Sequence, residues 1–331
     1  MSRAMSIVNI MMEGSVSYDI AVVGGGPAGI AAAIALAQSG GNVVLIARRA
    51  AYADNRTTAL LGASVDFLQR LDVWQGCADK AAPLKTMRLV DDTGRLIRAP
   101  EVKFSCEEIG LETFGYNIEN RTLVAALEER AAALPNLARL DDEAETVTPD
   151  DLSAAIHTTG GRSLSARLVI GADGRLSLCR EAAGIAVTSR DLGQAALTFN
   201  VSHARPHQNV STEFHTPEGP CVFVPLPGDR CSVVWVASPK QAELLYALSD
   251  EALSEAAEKQ SLDPRPHEGR AGPVSVSTSD RTADAIREGA HCAGWRSSPC
   301  DPANRRAGPQ HGTARCRGYR RHRARCDCRG R

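Results

Sequence analysis

Six residues constrain this chain more than any others: Gly24-Gly25-Gly26-Pro27-Ala28-Gly29, set between the apolar run Tyr18–Val23 and the alanine-rich stretch Pro27–Ser39. A strand-length run, a G-x-G-x-x-G turn and a helix form the start of a βαβ unit that binds a dinucleotide. Gly24 permits the tight turn, Gly26 lets backbone approach a pyrophosphate, and Gly29 lets the helix pack on the strand. Pro27 suits the first helical turn, because its missing N–H has no intrahelical partner there in any case. Gly40-Gly41 ends the helix, and Asn42–Ala47 follows as a continuously apolar second strand of the kind found in parallel sheets. The pattern predicts an α/β fold with a Rossmann-type domain.

Further elements follow at shorter range. Ser64–Trp74 has helical spacing in Val65, Leu68 and Leu71, and Leu84–Ala99 reads as a hairpin turning at Asp91-Asp92-Thr93-Gly94. Asn120 opens a helix expected to run to about Leu134, and Ala166–Gly171 is another buried strand leading into Ala172-Asp173-Gly174. Ala195–Ser202, Ser211–His215, Cys221–Leu226 and Ser232–Ala237 are strand-like and predict a β-rich substrate region. Pro239–Gln260 reads as one amphipathic helix with Leu244, Leu245, Leu248 and Leu253 on one side.

Charge is unevenly spread. Residues 292–331 hold eleven arginines, two aspartates and no lysine, a net +9, so the rest of the chain nets −10 within a total of −1. Five of the ten cysteines fall in the same stretch, and the other five are scattered. Ser6–Met12 is too short and polar for a signal h-region, which predicts a reduced, cytoplasmic setting. The basic stretch lacks interleaved stacking aromatics beyond Tyr319, so nucleic acid is not expected as a partner. Cys316, His322, Cys326 and Cys328 do not form paired C-x-x-C units, and no metal site is expected. His203, His207 and His215 are spread over β segments and are read as satisfied polar residues, leaving no catalytic side chain to nominate.

Four stretches in one order resemble a known family. Asp54-Asn55-Arg56-Thr57-Thr58-Ala59-Leu60 is similar to the Arg-containing segment that follows the second strand in class A flavoprotein monooxygenases. Asn120-Arg121-Thr122-Leu123 resembles their Arg-containing helix start, and Leu168–Arg175 with Ser177 and Arg180 resembles their Asp-Gly motif. Thr216–Pro220, Pro225-Leu226 and Val233-Val234-Trp235 resemble the substrate-domain strands of the UbiH/UbiF-type hydroxylases of ubiquinone biosynthesis. The resemblance covers about residues 17–260. It implies a Rossmann-type FAD-binding domain at 17–180, with a β insertion at about 84–115, and a substrate-binding sheet with a helix at 181–260.

The same resemblance implies FAD as cofactor, NAD(P)H as reductant, O₂ as oxidant and a polyprenylphenol or other aromatic as substrate, with peripheral contact at the inner membrane face. Gly24, Gly26 and Gly29 would cradle the pyrophosphate, and Arg56 and Arg121 would contact FAD phosphate or ribose oxygens through charge-assisted bonds. Asp173, with Gly174 in its turn, would hold a ribityl or ribose hydroxyl. The acid usually found at the end of the second strand is missing: Ala47 is followed by Arg48 and Arg49. Arg48 selecting a 2′-phosphate is the alternative this departure leaves open.

The C-terminal stretch departs from the family altogether. From Arg287 to Arg331 there is no Leu, Ile, Val, Phe or Met, so too little apolar surface is available to offset ordering entropy. Reading each codon of 293–315 from its second base permits LVGEAAHVIPPIGAQGLNMGLRD, which resembles the family's third flavin motif. Val276–Ala283 permits FPLAIERP and Leu262–His267 permits SILGRM in the same shifted frame. A single-base change near Ser261 accounts for all three, and 261–331 is expected to be a frameshifted, irregular tail. Two rivals accompany this reading: a flavin monooxygenase of a small soluble aromatic, and an inactive frameshifted product.

Overall fold

The computed structural model describes residues 16–49 and 56–261 in full and the backbone of 274–276 and 282–288. Strand β1 (Val16–Val23) leads through the glycine turn into α1 (Pro27–Gln38), and β2 (Val43–Ile46) returns beside β1. Next come β3 (Thr57–Leu61), α2 (Gly62–Arg70), β4 (Ala81–Leu84), β5 (Thr86–Asp91), β6 (Val102–Ser105), β7 (Gly115–Glu119) and α3 (Asn120–Ala132). Then β8 (Leu137–Leu140), β9 (Ala144–Pro149), β10 (Ala154–Thr158), β11 (Ser163–Gly171) and α4 (Leu178–Ala182) complete the first half. The second half runs β12 (Arg190–His203), β13 (Val210–His215), β14 (Pro220–Leu226), β15 (Arg230–Ala237), α5 (Pro239–Tyr246), α6 (Asp250–Ser261), β16 (Val274–Val276) and β17 (Thr282–Glu288).

Three sheets result. The first has the order β8-β2-β1-β11-β10-β9; β8, β2, β1 and β11 are mutually parallel, and β10 and β9 extend it antiparallel. Its parallel strands are apolar on both faces because both faces are covered. Val22, Val43 and Leu45 pack with Ile30, Ile34 and Leu127 of α1 and α3. Their alternates Ala21, Val23, Val44 and Ile46 pack with Ile156, Leu164 and Ala166 on the other side. The second sheet runs β16-β12-β15-β14-β13-β5-β6, with β17 also on β12. Leu197, Phe199, Phe214, Phe223 and Val233 line its covered face against Leu245, Leu253 and Ala257 of α5 and α6. A small third sheet, β3-β7-β4, contacts β14 through β4 and β7.

Several expectations need correction. The single helix over 239–260 is two, broken at Ala247–Ser249. The Ser249 side chain accepts from the Ala252 N–H and so caps a fresh start, with Asp250 and Glu251 in the first turn of α6. Leu244, assigned to the buried side, is exposed as a consequence. The hairpin over 84–99 is longer than expected: its second arm begins only at Val102, and 92–101 forms its tip. The stretch read as an insertion at about 84–115 supplies β5 and β6 to the large sheet, so the substrate-side layer is discontinuous in sequence. Within 261–331, Val274–Val276 and Thr282–Glu288 pair with β12 and are not irregular, because β12 offers them an open edge of backbone donors and acceptors. The remainder of the expected tail lies outside the described residues.

Two predictions follow from the packing. Phe199 is buried in the large sheet's core. Its replacement by Ala is expected to lower unfolding free energy in urea by about 3–5 kcal/mol, whereas Leu152→Ala, at an exposed turn, stays within ~0.5 kcal/mol. The second concerns pH. Arg88 Nε and Nη2 donate to the two oxygens of Glu101 at 2.8 and 2.9 Å, stitching β5 to the residue before β6. Those bonds outweigh burial and hold Glu101 near 2, down from 4.5. A depressed carboxylate stabilises the fold above its ordinary range, and that contribution is lost as pH falls through the folded value. The melting temperature should therefore drop between about pH 4.5 and 2, and Glu101→Gln should flatten that part of the curve.

Candidate functional site

The first cluster forms where β1 and β11 end side by side. Val23 stands opposite Gly171 in the parallel register, and the Ala172 N–H donates to the Val23 carbonyl at 2.7 Å. Gly24, at φ +117°, follows at once; a Cβ there would sit 2.2 Å from the Ala172 carbonyl oxygen. A Cβ on Gly29 would sit 2.0 Å from the Gly24 carbonyl oxygen. These two glycines are required by the protein's own backbone. Gly26 is different: among the described residues nothing lies within 4 Å of its would-be Cβ. It caps α1, whose first turn contains Pro27 and no acidic residue, so the helix's positive end faces open space.

Asp173 and Gly174 stand beside this turn, the would-be Cβ of Gly24 lying 2.8 Å from the Asp173 nitrogen. The Asp173 carboxylate already accepts from the Ser177 hydroxyl at 2.6 Å and from the Cys179 N–H at 3.0 Å. Burial raises its pKa, but those two bonds outweigh burial and leave it below the ordinary value. It is therefore an ionised acceptor, fixed by these bonds beside the glycine turn. The neighbouring Cys179 thiol is pushed up to about 12, first by burial and then by the Asp173 charge, so it stays protonated.

The second cluster gathers Arg56 and Arg121. Antiparallel pairing of β3 with β7 sets Thr57 against Glu119, and the Asn120 N–H donates to the Arg56 carbonyl at 2.9 Å. The Thr58 hydroxyl bonds the Asn120 side chain at 2.5 Å. Arg121 opens α3, and its Nε and Nη2 both donate to Glu119 Oε2, at 3.0 and 2.8 Å. The other oxygen of Glu119 accepts from Arg230 Nη2 of β15 at 2.8 Å. Burial raises the Glu119 pKa, while the two guanidiniums more than reverse it. This carboxylate, which sequence reasoning passed over, holds Arg121 and ties the large sheet to the helix start. Arg121, Thr122, Ala125, Ala126, Glu129, Gly76 and Lys80 line a pocket of about 300 Å³.

At the end of β2, Arg48 turns to Glu143 (3.2 Å) and Thr159 (3.2 Å), and the Arg49 N–H donates to Asp141 at 2.7 Å. The guanidinium weighed as a 2′-phosphate selector is thus engaged by a carboxylate. Acidic side chains reach this corner from the turn after β8. Among the described residues, no three His, Cys, Asp or Glu side chains group to hold a metal, and no helix is long and apolar enough to cross a membrane.

A family model described as "FAD binding domain" matches residues 17–294. The chain belongs to the FAD-binding-domain family. The family's cofactor is FAD, and the open Gly26 position, the helix end without acids and the preset Asp173 acceptor fit its phosphate and sugar groups. The chain is 33% identical over 270 residues to "Ubiquinone hydroxylase UbiL" of Rhodospirillum rubrum, covering 80% of this chain and 61% of that protein. It is 32% identical over 241 residues to the "3-demethoxyubiquinol 3-hydroxylase" of Escherichia coli, covering 70% and 60%. The chain thus spans about three fifths of the length of these curated relatives. The fold matches p-nitrophenol 4-monooxygenase PnpA of Pseudomonas putida at a TM-score of 0.66 and 18% identity, covering 86% of this chain and 71% of that one. It also matches the flavin-dependent monooxygenase PieE at 0.62 and 20% identity, covering 85% and 52%.

The contrast between the glycines is testable in a frame-restored protein. Gly26→Val is expected to abolish FAD retention, read from the visible absorbance of the purified protein, yet to cost only about 1 kcal/mol of stability as a poorer cap. Gly29→Val should fail to fold, because its side chain meets backbone.

Proposed function

We propose that this chain derives from an FAD-dependent monooxygenase that hydroxylates the aromatic ring of a polyprenylphenol in ubiquinone biosynthesis, with NAD(P)H as reductant and O₂ as oxidant. Bound FAD would supply the redox and oxygen-activating chemistry; the protein binds, orients and excludes water. Gly24, Gly26, Gly29, Asp173 and Gly174 are assigned to one part of the cofactor site, and Arg56 and Arg121, the latter held by Glu119, to another.

The observation that carries the substrate side is the large sheet's second face. Opposite the helices it presents half-buried Val222, Val224 and Val234, with Ser232 and Asn200 directly paired among them. Asn200 is 3% exposed, and among the described residues neither its Nδ2 nor its Oδ1 has a hydrogen-bond partner. A buried amide left without partners costs about 1–3 kcal/mol, which a ring hydroxyl placed against it would recover. Valines beside one amide, with the acid Glu213 on the same face, suit a phenol better than a charged acid. We place the enzyme in the cytoplasm at the inner membrane face, without nucleic-acid partners.

The chain as written is read as impaired. The shifted-frame motif over 293–315 is the reason. One shifted frame permits the family-like readings over 262–267, 276–283 and 293–315 alike, so the break is assigned near codon 261. The test is to sequence that stretch of the gene, and to express the chain as given beside a version with one base corrected there. Bound flavin and NAD(P)H-dependent O₂ consumption with a prenylphenol are expected only in the corrected protein. Equal flavin content and turnover in both would overturn the frameshift. Flavin with turnover on small soluble phenols alone would overturn the substrate.

A further inference from the structure

The hairpin joining β5 and β6 ends in Arg95-Leu96-Ile97-Arg98, a place where the fold does the opposite of hiding apolar surface. Leu96 is fully exposed and Ile97 is 87% exposed. They are held there by design of the loop. Asp91 accepts from the Thr93 N–H and hydroxyl on one limb and from the Ala99 N–H on the other, at 3.1, 2.7 and 2.8 Å. Gln260 of α6 donates to Asp92 at 2.9 Å, and the Arg88–Glu101 pair clamps the base. The limbs are thus pinned, and the two aliphatics at the tip cannot fold back to the core. Exposed aliphatics next to each other mark interaction sites more often than isolated ones.

Charge narrows the occupant. Arg95 and Arg98 bracket the aliphatic pair, Arg98 lying 3.9 Å from Asp92 at the base of the loop, in a body of 1–291 that nets −10. The edge strand that follows adds Val102 and Phe104, 40% and 48% exposed, with Lys103 between them. Val102 and Phe104 pair with Leu89 and Met87, so their side chains share the large sheet's second face with Val222 and Val224. Ser211 and Glu213 of β13 stand between these two apolar groups, so Val102 and Phe104 form a separate apolar patch at the tip's base on the same face as Asn200. Adjacent aliphatics flanked by guanidiniums match a surface with an apolar interior and anionic headgroups.

We propose that Arg95-Leu96-Ile97-Arg98 is a membrane-docking tip, in which Leu96 and Ile97 enter the acyl boundary and the two arginines meet lipid phosphates. The proposal builds on the reading of a bilayer-resident substrate, which gives docking at this end of the sheet a purpose. The tip sets the apolar patch of Val102 and Phe104 against the lipid surface, on the face of the sheet that also carries Asn200.

The test is co-sedimentation of the full chain with vesicles of mixed phosphatidylglycerol and phosphatidylcholine, in low and in high salt. The arginine-rich stretch 292–331 is common to every variant, and its attraction to anionic lipid is screened at high salt. The variants are Leu96→Asp/Ile97→Asp, Arg95→Glu/Arg98→Glu, and Leu152→Asp as a control at another exposed aliphatic. All three alter exposed side chains, and unchanged melting temperatures confirm that they fold. The aliphatic double variant is expected to lose high-salt binding by about ten-fold or more, since two inserted side chains are replaced by charges. The arginine double variant should lose mainly its preference for phosphatidylglycerol, and the control should behave as the parent. Binding unchanged in the aliphatic variant would overturn the docking tip while leaving peripheral association standing. No vesicle binding by the parent chain would overturn both. A shift in oligomeric state on size exclusion in the Leu96→Asp/Ile97→Asp variant, without a change in vesicle binding, would reassign the tip to self-association and overturn the proposal.

Discussion

Three lengths of backbone converge at the top of β1, and the rest of the nucleotide half depends on how closely they approach. The turn at Gly24 presses on Ala172 of the loop after β11, and Gly29 of α1 presses on Gly24. Neither contact leaves room for a methyl group. The closeness brings the helix end, the turn and the Asp173 loop to one spot, and it lets Ile30 and Ile34 reach the parallel strands below. Gly26 stands in the same turn with no described atom within 4 Å of a would-be Cβ, so packing alone does not account for a glycine there.

A second dependence links the halves of the described structure. Asn117 donates to the Pro225 carbonyl at 2.9 Å, and Glu119 spans Arg121 and Arg230. Both residues belong to β7, a strand of the smallest sheet. An Arg assigned to the cofactor and a strand assigned to the substrate therefore share one buried carboxylate. Removing it would leave two guanidiniums to find other partners at an interface, a larger disturbance than loss of an exposed ion pair.

Legibility followed the range of the interactions. The βαβ start, the helix at Asn120 and the strands from Ala195 to Ala237 were readable because their signals are local: apolar runs, glycine punctuation and caps. Strands β9 and β10 were not read, since their few apolar residues alternate weakly around the Asp150–Ser153 turn. The break between α5 and α6 was missed although Ser249-Asp250-Glu251 is a helix-start signal, because leucine spacing continued across it. Glu119 carries no signal in the sequence; its bridge from nearby Arg121 to Arg230, over a hundred residues away, exists only in the fold.

By itself the sequence determined the strand–turn–helix, the order of its motifs and hence the cofactor class, because glycines and apolar periods act on neighbours a few residues off. Tertiary structure alone decided which glycines are closed in by backbone, that β5 and β6 leave the first half to edge the large sheet, and that Asn200 is buried with no partner among the described residues. It alone placed Leu96 and Ile97 outside. Those outcomes depend on what packs against each side chain, and such contacts join residues whose separation along the chain no local pattern records.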